Sequence, residues 1–291
     1  MKLLRLVLLA AIAGLCSLAA LAASALGPAG LAARHASLGP QLASNVFGGP
    51  LVLESEEQPK RIEGDVYAVL EHPFATASAA LSDPSQWCAI LILHLNTKYC
   101  RRNDVNGVPH VQMRVGRKEP QAVDSASLID FTWRAAQVRP DYLSVQMDAP
   151  EGPYDTTDYR LLAEAVPLAG GKTFLHLGYG TSFGGASQFA MRLYLGTVGR
   201  DKVGFTRVQR DGQEGFVDGM RGVVERNTMR YYLAIGAYLG SLPAAADQQL
   251  EHRLQAWFDA TERYPRQLHE VDRDAYLRMK RDEVQRQAAA R

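Results

Sequence analysis

The sequence predicts an α+β fold in which seven antiparallel strands precede one long helix and a helical C-terminal extension. Three observations predict it. A period-2 strand begins at Arg61, and further strand-length runs punctuated by turn residues follow as far as Ser182. Two short helices interrupt that series after its first strand. The stretch from Gly219 to Leu242 is charged at its start and apolar almost all round after Met229, so as a helix it must be covered on every side.

Taken in order, Met1 to Ala25 has the layout of a signal peptide. Lys2 and Arg5 form a basic start, an Ala/Leu run follows, and Ala23-Ser24-Ala25 is a small-x-small cleavage site. The expected location is export, to a periplasm; the alternative is an uncleaved segment that anchors the protein in a membrane. Cleavage would change the formal charge from +1, with 32 basic and 31 acidic side chains, to −1, with 30 and 31. A balance so near neutral offers nothing to a nucleic acid.

Residues 26–60 are rich in Ala, Gly, Pro and Ser without a sustained period and read as a flexible N-terminal arm. The first strand follows, with Ile62, Gly64, Val66, Ala68 and Leu70 alternating against Glu63, Asp65, Tyr67 and Glu71. Phe74 to Leu81 is a short Ala-rich helix. Asp83 and Pro84 then start a second one, to Ile92, as N-cap and first helical residue. Six strands come next: Thr97 to Arg102, His110 to Arg117, Leu128 to Val138, Tyr142 to Asp148, Asp158 to Val166 and Lys172 to Ser182. Arg139-Pro140-Asp141 and the Gly170-Gly171 pair mark hairpin turns. A helix from Phe183 to Thr197 and a glycine-punctuated connection, with a hairpin around Arg210-Asp211-Gly212, lead to the long helix. Beyond it, Leu250, Leu254, Trp257 and Phe258 mark an amphipathic helix, and a charged helix begins at Asp272.

Cys88 and Cys100 are the cysteines left after cleavage, and in an oxidising compartment they point to a disulfide. A continuous strand would hold them roughly 30 Å apart, so a bridge needs a chain reversal near His94 to Asn96. Two buried free thiols are the alternative.

This element order, with the Asp83-Pro84-x-x-Trp87 turn, resembles the START-like superfamily, also called the polyketide cyclase or Bet v 1 (SRPBCC) superfamily. The resemblance covers about Arg61 to Leu242. It implies a helix-grip fold: a curved antiparallel sheet of seven strands around the long C-terminal helix, with a hydrophobic cavity between them. Members bind sterols, phospholipids, polyketides and other apolar ligands, and a minority are cyclases or hydrolases. The chain departs from the pattern in its export signal, its Phe183 to Thr197 insertion and its extension, 243–291.

The candidate ligand-binding residues follow from position. Asn227 is the polar intruder on the stripe Met220, Val223, Val224, Tyr231, Ala234, Ile235 and Tyr238 of the long helix. A buried amide must find a partner, in the protein or in a ligand head group. Arg226 and Arg230 sit at the stripe's edge, where they either hold an anionic group bidentately or pair on the surface. On the strands, Arg114, Trp133, His176 and Tyr179 are the polar or aromatic residues placed to line a cavity, although alternation does not fix which pleat face points inward. Met229, Tyr232, Leu233, Gly236 and Gly240 make the opposite helix face apolar. Either a neighbouring helix covers that face, with the two glycines admitting it closely, or it forms an oligomer interface or a peripheral membrane contact.

The histidines lack ligand-like spacing for a metal, and no P-loop or nucleophile elbow is present. No catalytic residue or cofactor is assigned. The expected function is an exported protein binding or carrying a lipid, fatty acid or sterol-like molecule. The alternatives are a cavity enzyme of the same fold, with Asp130 and His176 as one conceivable acid/base pair, and an envelope assembly protein without a ligand.

Overall fold

The computed structural model describes residues 25–185, 201–210 and 212–289. Its main sheet comprises β1 (Leu51–Gln58), β2 (Arg61–Leu70), β3 (Thr97–Val105), β4 (Val108–Val115), β5 (Ser127–Arg139), β6 (Tyr142–Glu151), β7 (Thr156–Leu168) and β8 (Lys172–Phe183). Their order is β1-β2-β8-β7-β6-β5-β4-β3, and every neighbouring pair is antiparallel. The first predicted strand is β2, and it closes against the last, β8, as a helix-grip sheet requires. Gly170 and Gly171 take positive φ in the β7–β8 turn.

The two short helices are α3 (Phe74–Leu81) and α4 (Pro84–Leu91), as the sequence places them. Asp83 caps α4 by accepting from the Ser85 N–H at 2.8 Å, and Trp87 Nε1 donates to the Leu81 carbonyl at 2.8 Å. The chain reverses over 92–96, and the Cys88–Cys100 disulfide joins α4 to β3 with its Cα atoms 5.2 Å apart.

The long helix, α5 (Gly219–Ser241), lies on the inner face of the sheet. Gly64 of β2 lets it approach: a Cβ there would stand 2.6 Å from Thr228 Oγ1. The far side of α5 is covered by α6 (Gln249–Glu262), whose Leu254, Trp257 and Phe258 share one core with Met229 and Leu233. Trp257 Nε1 donates to the Arg230 carbonyl at 3.1 Å. The face weighed above as an oligomer or membrane surface is thus occupied by the chain's own helix. Gly236 and Gly240 do not admit it, however. A Cβ at either meets nothing within 4 Å, because α6 meets α5 along Arg230 and Tyr238 instead. A short turn, α7 (Pro265–Leu268), leads into α8 (Arg273–Ala289), which packs on edge strand β3. There Gln287 accepts the Cys100 backbone N–H at 2.9 Å, which helps to close an exposed sheet edge.

Residues 26–60 differ from the flexible arm expected. They hold α1 (Gly27–Ser37), α2 (Gly39–Ala43) and the eighth strand, β1, so the sheet has one strand more than predicted. Leu31, Leu38 and Leu42 are buried on the outer face of the sheet against Val52, Tyr67, Tyr142, Val166 and Phe174. Small residues between these leucines allow close packing but hide the periodicity.

Other readings fall partly beyond the described residues. The signal segment does so up to residue 24. Of the helix predicted from Phe183 to Thr197, Phe183 closes β8 and the stretch from 186 onward lies outside. The expected hairpin is present as β9 (Arg207–Arg210) and β10 (Gln213–Phe216). Among the described residues no helix is long and apolar enough to cross a membrane.

Candidate functional site

The inner face of the sheet carries a run of aromatic side chains toward α5. Phe131 meets Tyr159 edge-on at 6.3 Å, Tyr159 lies 6.4 Å from Tyr179, Tyr179 lies 5.4 Å from Tyr231, and Tyr231 lies 5.0 Å from the His94 ring. Trp133 stands on the same face but packs edge-on against Trp87 at 6.5 Å, within the core. At the α5 end of the run, several polar groups come together. His94 is 3 % exposed, and its Nε2 is buried with no hydrogen-bond partner among the described residues.

Its tautomer follows from its other nitrogen, Nδ1, which accepts the Asn96 N–H at 3.1 Å. Burial, with Arg230 and Lys280 nearby, holds the ring well below the ordinary histidine range, so it is neutral and Nε2 carries the proton. The half-buried Asn227 amide lies close enough to interact with this ring and oppose the fall in its pKa, but it does not reach Nε2 in hydrogen-bond geometry. The hydroxyls of Tyr179 and Tyr231 have no hydrogen-bond partner among the described residues, and burial pushes the Tyr179 phenol well above its ordinary range. Tyr179 keeps partial exposure although it stands on the inner face. The site is therefore a set of neutral polar groups at one end of an apolar interior, with an unsatisfied donor at its base.

Asn227, Tyr231 and Tyr179 were legible as candidates from the sequence. His94 was not. A single histidine in a turn has no spacing signal; its place in the reversal that the disulfide demands is the only hint.

The other candidates stand elsewhere. Arg230 donates to Glu270 at 2.9 Å and to the Leu268 carbonyl at 3.3 Å. Arg226 donates to the Val203 carbonyl at 3.0 Å. Both hold the long helix to flanking segments, and both are buried, not paired on the surface. Glu270 also takes Lys118 at 2.6 Å and Lys202 at 2.5 Å. Despite burial, these cations hold its carboxyl down to about 2. Arg221 and Glu225 do approach, at 3.9 Å, but Glu225 is fully buried and serves Ser55, Phe205 and Thr206.

Arg114 and His176 are corrected outright, because both point to the outer face. β8 is buried at nearly every position, so its apolar pattern has no readable phase, whereas β4 turns Val111 and Met113 inward and so places Arg114 outward. Arg114 donates to the Ala126 carbonyl at 3.0 Å. His176 bridges Asp65 (Nε2, 2.7 Å) and Glu164 (Nδ1, 3.0 Å) and stacks on Tyr67 at 4.4 Å. Both ring nitrogens are engaged, which leaves no lone pair for a general base. Asp130 binds His110 at 2.8 Å instead, so the conceivable Asp130–His176 pair does not form.

Burial alone would lower the His176 pKa, but the two carboxylates raise it to about 9. A folded pKa above the unfolded one gives stability that is complete below about 6.5 and lost as pH rises toward 9. The contribution is on the order of 3 kcal/mol. Urea denaturation across that window, taken as the difference between wild type and a His176→Gln variant, is expected to show a pH-dependent loss confined to wild type.

The element order, the strand order and the gripped helix make a helix-grip fold, as the resemblance to the START-like superfamily implies. No family model matches the chain, and no curated protein matches it. Among solved structures it is similar to the human StarD13 (DLC2) lipid transfer and protein localization domain, at 11% identity and a TM-score of 0.33, covering 50% of this chain and 76% of that one. It is also similar to human StAR-related lipid transfer protein 5, at 10% identity and 0.31, covering 54% and 83%. A truncated norcoclaurine synthase from Thalictrum flavum gives 11% and 0.33, covering 50% and 91%. These distant likenesses add nothing to the assignment, which rests on the topology of the chain itself.

Proposed function

We propose that the protein binds a hydrophobic molecule between the sheet and α5, with a hydrogen-bond acceptor of that molecule, a carbonyl or carboxylate oxygen, at His94. One observation carries this reading: a buried Nε2–H without a partner of good geometry, beside the polar groups of Asn227, Tyr179 and Tyr231. Leaving such a donor unmade costs about 1–3 kcal/mol, and native proteins rarely bear that cost without a use. The aromatic run behind it suits the apolar part of a lipid, fatty acid or sterol-like molecule. Export of the protein to an envelope compartment belongs to the same reading and is supported by the layout of residues 1–25.

The test joins native mass spectrometry of the purified chain with titration of fluorescent fatty acids and sterols. A co-purifying apolar molecule is expected, and His94→Leu is expected to weaken binding by roughly tenfold or more. Stability should change little, since relief at Nε2 offsets the lost Asn96 contact. Neither co-purification nor binding would return the interior to a packed core, as an assembly protein would have.

A further inference from the structure

The outer face of the sheet carries a charge imbalance. Asp65 on β2 and Glu164 on β7 flank His176 on β8, so two carboxylates share one imidazolium. Glu164 is fully buried and also accepts from Tyr142 on β6 at 2.5 Å. The cations around the cluster are engaged elsewhere: Arg34 of α1 with Glu54 of β1 and over the Tyr67 ring at 4.7 Å, and Arg61 and Arg160, which border the same recess as Asp65, with Glu63 and Asp148. One negative charge is left over, shared between the fully buried Glu164 and the partly exposed Asp65, and a buried charge short of its partner is destabilising. Two further donors reach the carboxylate. The backbone N of Leu26 lies 3.0 Å from Glu164 Oε2, and that of Gly27 lies 3.1 Å from Oε1. Leu26 is also the residue that follows the small-x-small site Ala23-Ser24-Ala25, and both Ala25 and Leu26 are exposed.

We propose that the chain is cut between Ala25 and Leu26, and that the new α-ammonium of Leu26 is the cation completing the Asp65–His176–Glu164 cluster. A signal peptidase adds water across the amide. The Ala25 carboxylate leaves with the segment before it, and the Leu26 amine takes up a proton. A neutral N–H on Glu164 thereby becomes a charge-assisted one, and the cluster becomes neutral. The precursor is correspondingly the less stable form, so full stability arrives only with processing. This inference is independent of what the interior binds.

The full chain, exported in a bacterial host that has a periplasm, is expected to give an intact mass and a terminal sequence beginning at Leu26. A start elsewhere overturns the proposal. Stability is then compared for a chain beginning at Leu26 and one carrying a single extra serine before it, each with Glu164 and with Glu164→Gln. The serine is expected to cost roughly tenfold in the folding equilibrium constant with Glu164, and little with Gln. An equal cost in both backgrounds overturns the proposal. Should Glu164→Gln fail to fold, Nα-acetylation of the Leu26 chain, which keeps the N–H and removes the charge, must reproduce the loss or the idea fails. An α-amine has an ordinary pKa of about 8, and pairing raises it in the fold. The advantage is therefore complete below about 8 and fades as pH rises past it. His176 is common to both chains and cancels in the difference.

Discussion

A chain ending at Leu242 is expected to yield no soluble folded monomer. The helices beyond that point bury seven large apolar side chains: Leu254, Trp257, Phe258, Leu268, Tyr276, Leu277 and Met279. Each contributes about 1.5–3 kcal/mol when fully buried, and a domain's whole stability is typically about 5–15 kcal/mol. The truncation also bares the partner side of α5, including Met229 and Leu233. The turn that carries His94 would lose its fastenings as well. Tyr276 donates to the Leu93 carbonyl at 3.0 Å, and Lys280 donates to the carbonyls of His94 and Thr97 at 2.7 Å each. The extension is thus both the cover of the gripped helix and the clamp on the candidate site. Size-exclusion chromatography and circular dichroism of the truncated chain decide the matter. A monomer with an unchanged melting temperature would show the extension to be dispensable.

What the sequence made legible, and what it hid, has a physical pattern. The strand series was readable because turn residues such as Gly170-Gly171 punctuate it, and α4 was readable because Asp83-Pro84 is a start signal that needs no tertiary help. The disulfide was legible from two cysteines in an expected oxidising compartment, and chain geometry then demanded the reversal near His94 to Asn96. The N-terminal segment was hidden because its anchors, Leu31, Leu38 and Leu42, sit among Ala, Gly and Pro on either side of a break at Gly39-Pro40. The inward face of the sheet was hidden for a related reason. With α1 on one side and α5 on the other, β8 is buried at nearly every position, and alternation then carries no phase. That is why His176, a polar residue in a buried strand, read as a cavity residue and is instead an outer-face ion partner. His94 illustrates the remaining limit. What marks it is an unmade hydrogen bond, a property of its surroundings and not of its spacing.

Replacing Glu283 with Gln is expected to cost about 3–5 kcal/mol near neutral pH. Its carboxylate takes Lys98 at 3.1 Å and Lys280 at 2.7 Å, and all three side chains are fully buried. Burial first, and then the neighbouring Lys98, already push the Lys280 ammonium down to about 8 against the attraction of Glu283. Without the carboxylate, two ammonium groups face each other in a region water does not reach. The neutral amide keeps the shape and loses the charge, which separates electrostatics from packing. The sign of the pH dependence follows. A lysine whose folded pKa lies below its unfolded one makes the fold more stable as pH rises between the two values. The unfolded chains titrate alike, so the deficit of the variant should shrink as pH climbs toward about 8, where Lys280 loses its proton in the wild-type fold as well. Lys280 also fastens the turn bearing His94, so the same variant should weaken ligand binding before it unfolds. Parallel urea titrations near pH 7 and near pH 10 measure the first effect, and a constant deficit across that range would mean the triad is held by shape, not by charge.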